Sequence, residues 1–317
     1  MASIDELMKK YNLDTSTTTA YSLIYSYAKD ATQPIIFSHY AHEHRSIKEI
    51  TYNKQYDYCT LYFFMSGKFG FIFDDTICNP SYGDVVIIRD REKFTSCFYT
   101  TSFVDYYEIN FPVEFFNGIS LINPFTKIFY DRNAPNHNMV IFNNLNREAI
   151  IDALKKIDAL ANEKSDFRDF LAYSYIIRIA EIICEQQSEN TTALPPKKIP
   201  QALKNALNYI HAHYTTLGGI DEVSENCNIT GTYLARLFKK FLLCSPNEYI
   251  SELRISYAKY LLQNGSNLTD ACYSSGFSNY NYFISKFKNV TGTSPAKWRN
   301  TYNQNTSSTQ SSIPNKK

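Results

Sequence analysis

An α+β fold is predicted: an N-terminal antiparallel β-barrel, a helical segment, and a C-terminal all-α domain with two helix-turn-helix units. Three observations lead there. Between Tyr58 and about Phe111 aromatic and β-branched residues crowd between short turn signals. After Asn143 the apolar residues recur at spacings of three and four. One helix-end pattern is then used twice, as F-K-K-F-L-L-C-S-P-N-E-Y from Phe238 to Tyr249 and as F-K-N-V-T-G-T-S-P-A-K-W from Phe287 to Trp298, forty-nine positions on.

With 317 residues the chain has room for two domains, each able to bury a core. A hydrophobic fraction of 44% against 20% charged excludes a disordered chain, and no run of about 18 apolar residues is present to cross a bilayer. The start, M-A-S-I-D-E-L-M-K-K, lacks the order of a signal peptide, so a cytoplasmic protein is expected. Seven cysteines stand singly, with no C-x-x-C pair and no zinc-ligand spacing, as suits a reducing compartment. Net charge is only +1, yet residues 200–317 hold 12 Lys and Arg against 6 Asp and Glu. The positive excess therefore travels with the doubled motif.

The barrel is expected over residues 1–145. Its segments T-L-Y-F-F-M, F-G-F-I-F, D-V-V-I-I and D-Y-Y-E-I-N-F are apolar on both faces or nearly so, which fits strands covered by a further layer. Residues 146–188 form a helix pair, with Ile150, Ile151, Leu154 and Ile157 on the first stripe and Phe167, Phe170, Leu171, Ile177 and Ile182 on the second. This pair is either a layer covering the core or a dimer interface. Residues 189–200 carry three prolines and almost no apolar side chains, as a linker does, and residues 303–317 form a polar, mobile tail.

The doubled region, 201–302, reads as helical throughout. Gly218-Gly219 closes a first helix, Ile220 to Glu225 forms a second, and Asn228 stands in the turn where a positive φ is tolerated by asparagine. Thr230 then caps T-G-T-Y-L-A-R-L-F-K-K, with Leu234, Leu237, Phe238 and Phe241 inward and Thr232, Ala235, Arg236 and Lys239 on the other face. Ser245-Pro246 starts a long connecting helix through Gln263. The second unit follows: Leu268 to Ser275, a turn at Gly276-Phe277, and a helix capped by Ser278 that exposes Asn279, Tyr280, Asn281, Ser285, Lys286 and Lys288.

The run from Thr230 to Leu262 and the run G-F-S-N-Y-N-Y-F-I-S-K-F-K-N-V-T-G-T-S-P-A-K-W-R from Gly276 resemble the DNA-binding domain of AraC-type transcription regulators. The resemblance covers about one hundred residues and both halves. It implies that the third and sixth helices of the domain enter successive major grooves. Thr232, Ala235 and Arg236 would read bases from the first unit and Tyr280, Asn281 and Ser285 from the second, while Thr230, Lys239, Ser278 and Lys288 would hold phosphate. Three positions depart from the family pattern: Ser224 replaces an alanine, Asn228 a glycine, and Leu243 the helix-ending glycine that Gly292 keeps in the second unit.

The front domain resembles the cupin-like regulatory barrel that accompanies such readers, through L-Y-F-F-M-S-G-K-F-G-F-I-F-D from Leu61, the Tyr82–Ile88 segment and Y-E-I-N-F-P. That resemblance implies a pocket for a small effector, a sugar or related metabolite. Tyr58, Tyr62, Phe64 and Tyr107 are its candidate lining, although plain core is the first reading of each. His42, His44 and Glu49 have the H-x-H-x-x-x-x-E spacing of a cupin metal motif, but Arg89, Asp90 and Phe94 offer no histidine to complete it, so no metal and no cofactor is expected. The reading is a non-enzymatic regulator, activator or repressor, that binds double-stranded operator DNA and an effector, contacts RNA polymerase and forms a homodimer. Its competitors are a regulator whose barrel only dimerises and a cupin metalloenzyme.

Overall fold

The computed structural model describes residues 22–25, 35–43, 47–54, 56–73, 76–100, 103–117, 124–130, 138–160, 167–189 and 197–300. Two units emerge, one drawn from residues 1–45, 53–94 and 102–198, the other from 46–52, 95–101 and 199–317. Strands run in the order β1 (Ser22–Tyr25), β2 (Ile35–Glu43), β3 (Ile47–Lys54), β4 (Tyr58–Ser66), β5 (Phe69–Phe73), β6 (Thr76–Cys78), β7 (Val85–Ile88), β8 (Phe94–Thr100), β9 (Phe103–Pro112), β10 (Met139–Val140) and β11 (Lys197–Lys198). Four helices complete the first unit: α1 (Val113–Asn117), α2 (Pro124–Tyr130), α3 (Asn144–Ala159) and α4 (Arg168–Glu189).

Its main sheet has the order β1-β2-β9-β4-β7-β10 with antiparallel pairing. In the second ladder β6 pairs antiparallel with both β5 and β11. Most of β3 and β8, which neighbour each other, falls in the second unit. The strands thus form two sheets rather than one closed ring among the described residues.

Register makes the main sheet two-faced. Tyr62 pairs with Glu108, Thr60 with Asn110 and Ser38 with Glu108, so these side chains share one face with Tyr58, Phe64 and Tyr106. That face meets β5, where Phe64 lies 4.4 Å from Phe69 and Tyr62 lies 5.7 Å from Phe71 between ring centroids. The opposite face carries Phe37, Leu61, Phe63, Val85, Ile87, Ile109 and Phe111 into one apolar core shared with Phe115, Phe125 and Phe129 of the short helices and with α3 and α4. Period-two alternation therefore separates a polar aromatic side from a mainly apolar, helix-facing one.

Of the two uses open to the helix pair, the stripe Tyr173, Ile176, Ile177, Ala180 and Ile183 of α4 serves the first, a layer covering the core. Ile176, Ala180 and Ile183 are members of the core, and Tyr173 and Ile177 pack on it. Helix α3 is tied to the sheet by charge as well. His39 places Nδ1 2.9 Å from Asp158 and Nε2 3.0 Å from Asp105, and its ring stacks on Tyr107 at 4.0 Å. Burial alone would lower the His39 pKa, but the two carboxylates outweigh it and raise it to about 9.

The second unit contains α5 (Gln201–His213), α6 (Ile220–Asn226), α7 (Gly231–Leu242), α8 (Pro246–Gln263), α9 (Leu268–Ser274) and α10 (Tyr280–Thr291), followed by a helical turn at residues 295–300. Helix α5 ends at His213, short of the Gly218 that marked its expected close. No helix among the described residues is long and apolar enough to cross a membrane. Of the expected linker, Lys197–Lys198 is β11 and residues 190–196 lie outside the described residues, as does the 303–317 tail.

Candidate nucleic-acid interface

Helices α7 and α10 are structural copies. Each has twelve residues, and their bounds differ by the same forty-nine positions as the sequence repeat. Both begin on a side-chain cap, with Thr230 accepting from the Tyr233 amide and Asn279 from the Tyr282 amide. Both end on a left-handed residue, Leu243 (φ 54°) and Gly292 (φ 74°). A leucine in that conformation costs about 1–2 kcal/mol that glycine avoids, so the departure at Leu243 leaves the geometry of the helix end unchanged and makes it less stable. Asn228 does the same work in the first turn (φ 52°) as Gly276 does in the second (φ 94°).

The two turns differ by one residue, because Asn228 and Gly276 are forty-eight apart while the helix caps are forty-nine apart. Ser278 is the additional residue. It therefore stands one place before the cap, and Asn279 takes the capping role expected of Ser278. Capping also accounts for the Thr230 hydroxyl, which is engaged by the helix it starts.

On α7 the inward residues Leu234, Leu237, Phe238 and Phe241 are buried, and Thr232, Ala235, Arg236 and Lys239 are exposed at helical spacing. The Arg236 guanidinium lies over the Tyr233 ring at 5.3 Å. On α10 Asn281, Ser285 and Lys288 are exposed, whereas Tyr280 is half-buried and packs against the second core beside Phe283. Lys286, expected on the open face, instead reaches the buried Glu252 of α8 at 3.4 Å and pins α10 to that helix. Tyr282, not singled out by its residue type, occupies the place of Tyr233 and is 54% exposed. The forty-nine-residue repeat was the signal that could have found both tyrosines.

Helix α8 carries the two copies. Its first half packs Tyr249 against Phe238, and its second half gives Ile255, Ala258 and Leu262 to the core of Phe283 and Phe287. Arg254, midway, donates to the carbonyls of Tyr214 and Leu217 at 2.7 Å each and sits 6.0 Å from the Phe277 ring. A capping box at its start, with Ser245 and Glu248 exchanging hydrogen bonds, fixes where it begins. The open cleft beside α6 is lined by Asp221, Ser224, Glu225, Asn228, Ile229 and Thr230. Its two carboxylates have the wrong sign for phosphate, so the basic outer side of α7 is the surface suited to a polyanion.

Sequence comparison agrees with this geometry, since residues 223–301 match the model of a helix-turn-helix domain. An uncharacterized HTH-type transcriptional regulator of Bacillus subtilis, YdeC, is 27% identical over 158 residues, covering 47% of this chain and 52% of its own. The lactose operon transcription activator of Staphylococcus xylosus is 26% identical over 165 residues, 47% of this chain and 57% of its own. A solved transcriptional regulator from Chromobacterium violaceum, described as AraC-type, is 27% identical over 33% of this chain and 94% of its own, with a TM-score of 0.31.

The chain carries an AraC-type helix-turn-helix domain. This AraC-type domain is C-terminal, and the chain spans about half the length of the two curated relatives.

In the first unit, the candidate effector residues separate by face. Tyr58, Tyr62 and Phe64 lie on the polar aromatic side, while Tyr107 belongs to the helix-facing core, where it stacks on His39. The polar side also holds residues that went unnoticed in the sequence. Glu108 is 4% exposed and accepts from the Asn110 amide at 2.9 Å, and Thr60 donates to Asn110 at 2.7 Å. The Tyr56 and Tyr62 hydroxyls are 3.1 Å apart. Burial first, and then neighbours including Glu108, push the Tyr58 and Tyr62 hydroxyls well above their ordinary range, so both stay protonated. No three metal-ligating side chains converge among the described residues; His44 and the side chains of His42 and Glu49 lie outside them.

Proposed function

We propose that this chain is a cytoplasmic, sequence-specific transcription regulator that binds double-stranded DNA through α7 and α10 and answers to a small effector held by the first unit. The observation that carries the reading is the exact repeat of a capped twelve-residue helix, with polar and basic side chains outward, on one shared strut. Helix α8, with eighteen residues, is about 27 Å long at 1.5 Å per residue, close to the roughly 34 Å that separates successive major grooves on one side of a duplex. Arg236 is suited to guanine and Asn281 to adenine, with Thr232, Ala235 and Ser285 beside them, and Lys239 and Lys288 to phosphate. Tyr280, half-buried, and Ser278, ahead of the cap, are the weaker members of the expected set.

The test compares two substitutions on specific and random duplexes. Arg236→Ala should weaken specific binding by about 1–3 kcal/mol and relax preference at one base pair. Lys288→Ala should weaken all sequences alike and reduce the salt slope by about one. Equal losses on both duplexes for Arg236→Ala would remove base reading from the first unit.

The effector reading rests on the polar face of the main sheet. A buried carboxylate beside an amide, a threonine and protonated tyrosine hydroxyls can accept from and donate to a polyhydroxylated molecule, with rings to stack on its apolar face. The name of the Staphylococcus xylosus relative, an activator of a lactose operon, points the same way. Screening a sugar panel by thermal melting should find a compound that raises the midpoint, by about 2.7 kcal/mol of stabilisation at one hundred times its Kd. Glu108→Gln should diminish that shift, and an undiminished shift would place the site elsewhere. Contact with RNA polymerase and homodimer formation complete the proposal, the dimer surface being other than the stripe consumed by the core.

A further inference from the structure

The two copies of the recognition helix share a tyrosine but not what stands one turn beyond it. Tyr233 and Tyr282 are forty-nine positions apart and occupy the same place in α7 and α10. Three residues on, the first helix has Arg236 and the second Ser285. In α7 the guanidinium rests over the ring at 5.3 Å, and among the described residues no carboxylate lies within salt-bridge distance of it. Arginine has many rotamers, and an exposed one without an anchor loses that freedom when it meets a base edge. A ring beneath it narrows the choice beforehand.

We propose that Tyr233 is a positioning residue that holds Arg236 ready for guanine, whereas Tyr282, with Ser285 in place of an arginine one turn on, offers its own exposed ring beside Asn281 to an adenine–thymine step. The proposal rests on the base-reading assignment above and adds the division of labour between the copies. A planar guanidinium matches the two acceptors of guanine in the major groove, and an asparagine amide matches adenine, while an apolar ring edge suits the thymine methyl group. One chain thus reads two unlike half-sites, and its operator should be asymmetric within a single binding site. Tyr282 can do so because 54% of the residue is exposed while its ring is supported by Phe277, 6.1 Å away.

The experiment measures binding of the full chain to a library of duplexes randomised across both half-sites, for the unaltered protein and for Tyr233→Leu, Tyr233→Phe, Tyr282→Leu and Arg236→Ala. Tyr233→Leu is expected to lower the guanine preference of the first half-site about three- to five-fold, the size of an exposed cation–π contact, without changing the salt slope. Tyr233→Phe, which keeps the ring, should rescue it. Tyr282→Leu should lower preference only in the second half-site. If Arg236→Ala abolishes the guanine preference and Tyr233→Leu leaves it intact, the positioning role is overturned while base reading stands. If Arg236→Ala changes no base preference, the underlying assignment itself falls. Equal melting midpoints for Tyr233→Leu and Tyr233→Phe separate positioning from a loss of fold.

Discussion

Gly276→Ala is expected to cost the C-terminal unit about 3 kcal/mol or more and to abolish specific DNA binding at ordinary temperatures. Two penalties meet at this position. The backbone has φ +94°, where any side chain is strained, and a Cβ would sit 2.5 Å from the Thr215 carbonyl oxygen and 2.8 Å from its Cα. Those are backbone atoms and cannot swing aside. Arg254, whose Nε would lie 2.9 Å from the same Cβ, is committed to the carbonyls of Tyr214 and Leu217 and so cannot yield without releasing them. The turn of the second unit is therefore locked to the loop after α5 through the strut that both copies share. Gly292→Ala is the control. There φ is +74° but nothing lies within 4 Å, so only the backbone strain of about 1–2 kcal/mol applies. Urea denaturation of the two variants should differ by the clash alone, and equal losses would show that the close approach at Gly276 carries no energetic weight.

Acid should weaken the same unit well before carboxylates are widely protonated. His211 lies 2.7 Å from the buried Tyr249 hydroxyl, and burial holds its pKa down at about 3. In the unfolded chain its ring takes up a proton near pH 6.5, but in the folded unit it does not. The unfolded state thus binds more protons between those values, and stability falls as pH drops from 6.5 towards 3 by about 1.4 kcal/mol per pH unit. His39 acts with the opposite sign in the first unit. Its raised pKa gives a contribution fully present below pH 6.5 and lost as pH rises through about 9. Denaturation followed separately for each unit between pH 6.5 and 5 should show the C-terminal transition moving to lower urea. His211→Gln should flatten that slope; a slope unaltered by the substitution would assign the acid sensitivity to other groups.

Where local chemistry governs, the sequence was legible. Asn228 in the turn, Ser245-Pro246 at the start of α8 and Thr230 as a cap all act through bonds within three or four residues, so residue type and spacing suffice to place them. Ser278 was misplaced by the same reasoning, because two adjacent good capping residues compete and only the packing of the longer turn selects Asn279. The side-chain split of the main sheet was less legible. In a stretch where nearly every residue is apolar, alternation gives no contrast, and Tyr107 cannot be told from Tyr62 until the strand register is known.

By itself, then, the chain's order of residues determined that a helix would be built twice, with caps, a left-handed end and a basic outer side, because each of those features is settled by neighbours along the backbone. Tertiary structure alone decided which outward residues are available to DNA. Lys286 is drawn back to the buried Glu252 of α8, and Tyr280 is packed onto the core that α8 shares with Phe287. It also decided that the apolar stripe of α4 serves its own core. The physical reason is the same in each case: a side chain's role depends on what the rest of the fold brings within a few ångströms of it, and that separation is not encoded at any single position.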